Sequence, residues 1–219
     1  MKPNIRFEFA RVARPTRKGE APLLAAQPWR SPKSLDALTQ IAMAELELDR
    51  GNLELAHRLL EPHVLAGNAK AILVSGTIGK PGETDEQFER RHVQSVELAA
   101  QKDDPDAIYR FGVFFDIGEF GFELDKVKAS ALFKRAADLG HLRCQWIHAC
   151  ELLWGLGSYE QNIPEGLAYL RRSIDGNFSE AIVTMARIHE NGEFGYEKDK
   201  GLAAALLSQA ARFGERDSG

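Results

Sequence analysis

Cysteine is scarce: Cys144 and Cys150 are the two in 219 residues. That number excludes a disulfide framework, and their spacing matches neither a redox pair nor a zinc knuckle. Long apolar runs are missing too. No stretch reaches the roughly 20 apolar residues a membrane-spanning helix needs, and the first thirty residues lack the uninterrupted apolar core of a secretory signal. Together these absences predict a soluble protein of a reducing, cytoplasmic compartment, with no membrane role. Net charge is a mere −4, but it is unevenly spread. Residues 1–33 carry eight basic residues (Lys2, Arg6, Arg11, Arg14, Arg17, Lys18, Arg30, Lys33) against Glu8 and Glu20, which leaves −10 on the remainder. The basic residues form no dense cluster or amphipathic helix, which argues against nucleic acid and anionic membrane as partners. With Pro15, Pro22, Pro28 and Pro32, the stretch 1–33 reads as an irregular arm, free or strapped across the acidic body by long-range attraction.

What the sequence does have is periodicity. Residues 107–140 recur 74 residues later, twice 37, at 181–214. Phe111-Gly112 corresponds to Met185-Ala186, Gly118 to Gly192, Gly121 to Gly195, Asp125 to Asp199, Ala129 to Ala203, Ala136-Ala137 to Ala210-Ala211, and Gly140 to Gly214. A looser copy lies between them, with Cys144, His148-Ala149, Gly155, Asn162, Gly166 and Ser173 at the matching places. Another precedes them, with Ala71, Ser75-Gly76, Gly82, Val93 and Ala99-Ala100, and residues 34–67 form a shorter, more degenerate unit.

Each unit reads as two antiparallel helices. Ile108, Phe111 and Phe115 keep helical spacing, and Gly118 supplies the left-handed residue that ends a helix. Asp125, Asn162 or Asp199 is placed to cap the second helix, whose Ala129, Leu132, Phe133 and Ala136 share a face. Small residues at 76, 112, 149 and 186, set opposite those at 129, 166 and 203, suit close crossing of helix axes. One such pair cannot bury its own apolar face, so the pairs must stack. The expected architecture is all-α, a solenoid of about five helix pairs over units 34–67, 69–103, 105–140, 142–177 and 179–214, followed by a charged tail, 215–219.

The pattern Ala107-x-x-x-Phe111-Gly112-x-x-Phe115-x-x-Gly118-x-x-Gly121, with Asp125, Ala129, Ala136-Ala137 and Gly140 after it, resembles the Sel-one-like repeat family, relatives of the tetratricopeptide repeats. The resemblance covers 105–140 and 179–214 best, then 142–177, then 69–103. It implies a right-handed α/α superhelix whose first helices line a concave surface used in scaffolding and regulatory complexes. It implies no catalytic residues to carry over, and no metal or cofactor is expected. Family members with a disulfide in each repeat are not matched, because the cysteine pairs are absent.

Two constellations invite chemistry. His141, Cys144 and His148 fall on one helix face with Cys150 nearby, as zinc ligands can. The repeat frame favours a core role, since Cys144 stands where Ala107 and Ala181 stand, and His148 where Phe111 and Met185 stand. The stretch Gly76-Thr-Ile-Gly79-Lys80-Pro81-Gly82 has a Gly-Lys pair but not the phosphate-loop spacing, and no Ser or Thr follows the lysine. It reads as an inter-helix loop. No nucleophile motif is present, so the chain is expected not to be an enzyme.

By analogy with the tetratricopeptide groove, the inward positions are Asp106, Tyr109, Val113, Asp116 and Ile117; Arg143, Trp146, Cys150, Leu153 and Trp154; Glu180, Val183, Arg187, Glu190 and Asn191. Of these, Tyr109, Val113, Asp116, Arg143, Trp146, Leu153, Trp154, Arg187 and Glu190 form the expected partner-binding set, with aromatics at the centre and charge at the rim. The competing reading is that Trp146 and Trp154 pack between repeats. The expected role is an adaptor or regulatory scaffold for a protein or peptide. The alternative is a dedicated inhibitor or immunity-type partner of one enzyme, for which an acidic body is suited, and a metal-dependent enzyme ranks last. Leu202, Leu206 and Phe213 in the last helix offer a homodimer contact to an otherwise monomeric chain.

Overall fold

Ten α-helices and no strand occur among the described residues, 36–214, of the computed structural model. The basic arm, the strap suggested for it and the charged tail lie outside the described residues. The chain divides into two units at Lys102–Asp103.

The first unit holds α1 (Ala37–Asp49), α2 (Leu53–Leu65), α3 (Ala69–Ser75) and α4 (Asp85–Gln101). Local residues set the starts. Asp36 accepts the Thr39 N–H at 2.8 Å, Asn68 accepts that of Ala71 at 3.0 Å, and Thr84 with Gln87 forms a reciprocal capping box. Ile41, Ala44, Leu59, Leu60, Ala71 and Val74 make the core. At the end of α3, Gly76 lies so close to α4 that a Cβ there would fall 2.4 Å from that of Ser95. The glycine-rich stretch that follows is the α3–α4 connection, and Arg91 organises it. The Arg91 guanidinium donates to both Glu83 oxygens at 2.7 and 2.8 Å and to the carbonyls of Ile78 and Ser75 at 2.6 and 3.2 Å. Those hydrogen bonds hold the Glu83 carboxyl down at about 2.

The second unit stacks three pairs: α5 (Pro105–Ile117) with α6 (Lys126–Asp138), α7 (Leu142–Trp154) with α8 (Ile163–Asp175), and α9 (Ser179–Asn191) with α10 (Lys200–Gly214). Gly118, Gly155 and Gly192 close the first helices at φ 71°, 58° and 68°, as their spacing predicts. Asp125, Asn162 and Asp199 cap the second helices by accepting the N–H of Lys128, Glu165 and Leu202 at 2.9, 3.3 and 2.8 Å. The 37-residue frame also fixes backbone that residue type alone does not reveal. Phe120, Gly157 and Phe194, equivalent positions, all adopt positive φ (53°, 61° and 55°). The two phenylalanines each accept a strain of about 1 kcal/mol to keep the loop geometry.

The close crossings differ from the small-against-small expectation. A Cβ on Gly112 would sit 2.6 Å from the Phe133 ring, and one on Gly166 would sit 2.8 Å from Leu153 Cγ. Each glycine is a hole that receives a large side chain from its paired helix, so interlocking, not backbone proximity alone, sets the packing. The inter-helix loops contribute as well. Phe122, Tyr159 and Tyr196, again 37 apart, fold back with ring centroids 4.9 Å from Phe115, 4.7 Å from His148 and 4.7 Å from His189.

Candidate protein-interaction face

Along α5, α7 and α9 equivalent residues recur every 37 positions. Asp106, Arg143 and Glu180 form one such row, and Tyr109, Trp146 and Val183 another.

The aromatic rows are fixed by the next repeat. Tyr109 stacks on His141 with centroids 4.6 Å apart, and burial pushes its hydroxyl pKa up. One repeat on, Trp146 tilts against Phe178 at 5.9 Å, and its Nε1 donates to Thr184 Oγ1 at 2.9 Å. His141 and Phe178 are themselves equivalent: each is the N-cap residue of the following first helix. His141 precedes the helix whose face it was expected to share with Cys144 and His148, and its Nδ1 accepts the Cys144 N–H at 3.1 Å. Charges thread between the rings. His141 Nε2 lies 3.7 Å from Asp106, Arg143 lies 3.6 Å from Glu180, and the Arg143 guanidinium covers Phe178 at 5.3 Å. Trp154 meets Phe194 edge-on at 5.3 Å, and the Arg187 guanidinium lies over its ring at 4.7 Å. Both tryptophans therefore join adjacent repeats and remain half-buried on the face.

Several expected members of the set fall elsewhere. Leu153 is fully buried, because the Gly166 position of α8 leaves a hole that its side chain fills. Cys150 is 1% exposed, since α7 is flanked by a repeat on either side. Asp116, the counterpart of Leu153, is also buried and binds Lys126 Nζ at 2.7 Å. Val113 is half-buried and Glu190 exposed. His141, Phe178, Phe194 and Thr184 were not anticipated. The signal for the first two was in the sequence, because they precede equivalent helices by one residue and lie 37 apart.

The middle pair carries a polar core that its neighbours lack. His148 and Glu151 occupy the places of Phe111 and Phe114 in one repeat and of Met185 and Ile188 in the other. His148 Nδ1 lies 3.2 Å from one Glu151 oxygen, and Ser130 Oγ donates to the other. Tyr159 and Tyr169 set their edges against the imidazole. Cys144 and Cys150 are buried, and burial pushes both thiols well above their ordinary value, Cys150 to about 12. Among the described residues no group of three His, Cys, Asp or Glu side chains converges as metal ligands would, and no helix is long and apolar enough to cross a membrane.

The chain matches the Sel1 repeat family three times, at residues 105–141, 143–178 and 179–212. Over 106 residues, 48% of this chain, it is 30% identical to "Chitin synthase regulatory factor 2" of Schizosaccharomyces pombe, of which it spans a fifth. Among solved structures, a Sel1 repeat protein from Oxalobacter formigenes superposes with a TM-score of 0.62 at 18% identity, covering 82% of this chain and 74% of that one. The c5321 protective antigen of uropathogenic Escherichia coli, which displays the same repeat fold, gives 0.57 at 18% identity over 82% and 39%. These two likenesses concern the fold, and they agree with the stacked helix pairs of the second unit: residues 105–212 of this chain are three repeats of the Sel1 family.

Proposed function

We propose that this chain is a protein-interaction module that receives a peptide, or one face of a protein partner, on the first-helix side of residues 103–214. The observation that carries the proposal is the set of half-buried rings, Tyr109, Trp146 and Trp154, each held in place by the following repeat. Rings already fixed in the free protein lose little rotamer entropy on binding, which is what an anchor for a partner requires. The flanking charges of Asp106, Arg143, Glu180 and Arg187 would then select among partners. A regulatory role accords with the name of the fission-yeast relative, though that protein is five times longer than the matched segment.

The test is capture from lysate of the source cells with the full chain and with a Trp146→Ala, Trp154→Ala variant verified as folded by circular dichroism. A stoichiometric partner held by the wild type and lost by the variant is the expected result. Equal retention by the folded variant would refute the assignment of the face.

A further inference from the structure

Arg187 differs from the other buried or half-buried charged groups of the face. Asp106 has His141 beside it, Asp116 holds Lys126, and Glu180 lies next to Arg143. Arg187 is half-buried, yet among the described residues no carboxylate or carbonyl accepts a hydrogen bond from it; its contact is the Trp154 ring. Glu190, one turn further along α9, is exposed and forms no ion pair with it. A guanidinium laid over an indole keeps its in-plane N–H edge open, and that edge matches a carboxylate in two parallel hydrogen bonds. The support is rigid, since Phe194 backs Trp154 from the succeeding loop.

We propose, building on the interaction reading above, that Arg187 is the acid-recognising anchor of the face, and that the partner is an extended segment presenting one Asp or Glu among apolar side chains. The carboxylate pairs with Arg187, and the flanking apolar groups pack on Trp146 and Tyr109. Local charge complementarity favours this occupant. A half-buried guanidinium favours an anion as its partner, while the −10 charge of residues 34–219 repels a polyanion such as nucleic acid. A segment with a single acid among apolar residues meets both conditions.

A random-peptide display library selected on the full-length chain tests this. The expected result is enrichment of Asp or Glu at one fixed place beside aromatic or aliphatic residues. The enriched peptide should bind Arg187→Gln about tenfold or more weakly, and its Asp→Asn or Glu→Gln counterpart should lose the same factor on the wild type but little more on the variant. Peptides that require Trp146 yet carry no acid, or losses that simply multiply, would overturn the assignment of Arg187 and leave the interaction reading intact. A library from which nothing is enriched would overturn both.

Discussion

The buried pair of the middle repeat can be exchanged for what its neighbours use. His148→Met with Glu151→Ile copies Met185 and Ile188 of the next first helix, at similar side-chain volumes. Each single change leaves a polar orphan. His148→Met strands a carboxylate that is 7% exposed, with Ser130 as its remaining donor, at a cost of about 3 kcal/mol. Glu151→Ile leaves the 0%-exposed imidazole without an acceptor for Nδ1, at a cost of about 2 kcal/mol. Among the described residues Nε2 has no hydrogen-bond partner, so the imidazole has little to fall back on. The combined variant, carrying Ser130→Ala to remove the last hydroxyl, leaves none of these groups exposed to an apolar core. It should lie within about 1 kcal/mol of the wild type, giving a coupling energy of several kcal/mol. Urea unfolding followed by circular dichroism, for the wild type, the three single variants and the combination, measures this. If the combination is as unstable as the sum of its parts, the two residues are not a coupled buried pair, and the reasoning fails.

The Glu83–Arg91 clamp gives stability a pH dependence. The folded Glu83 carboxyl is held down at about 2, so it binds a proton less readily than in the unfolded chain. Its contribution is therefore full above the ordinary glutamate value and lost as pH falls from there towards about 2; after solvent screening it amounts to roughly 1 kcal/mol. Glu83→Gln should flatten the acid limb of the stability–pH curve by that amount, and an unchanged limb would contradict the assignment. Cys144 and Cys150 are buried with raised thiol pKa values, so both should resist a thiol reagent at neutral pH in the native protein and react fully in denaturant. Rapid native labelling of either would show that α7 is more open than the structure has it.

The sequence by itself determined the repeat, because its signals are local and positional. Gly118, Gly155 and Gly192 end helices through the one residue type that enters the left-handed region freely. Asp125, Asn162 and Asp199 cap through their own side chains, and the 37-residue spacing sets them in register. The expected side of each first helix came from analogy with the tetratricopeptide groove, and of the positions assigned to it Asp116, Cys150 and Leu153 are buried. Tertiary structure alone decided what that side offers, because exposure depends on which repeats flank it and not on the angle around the helix axis. Leu153 and Glu190 hold equivalent positions, yet one fills the hole at Gly166 and the other faces solvent. Trp146 and Val183 are equivalent as well, but Trp146 is tied to Thr184 while Val183 is 44% exposed. That Arg143 meets Glu180 and that Arg187 rests on Trp154 depends on contacts between residues 37 and 33 positions apart, which no local pattern in the sequence encodes.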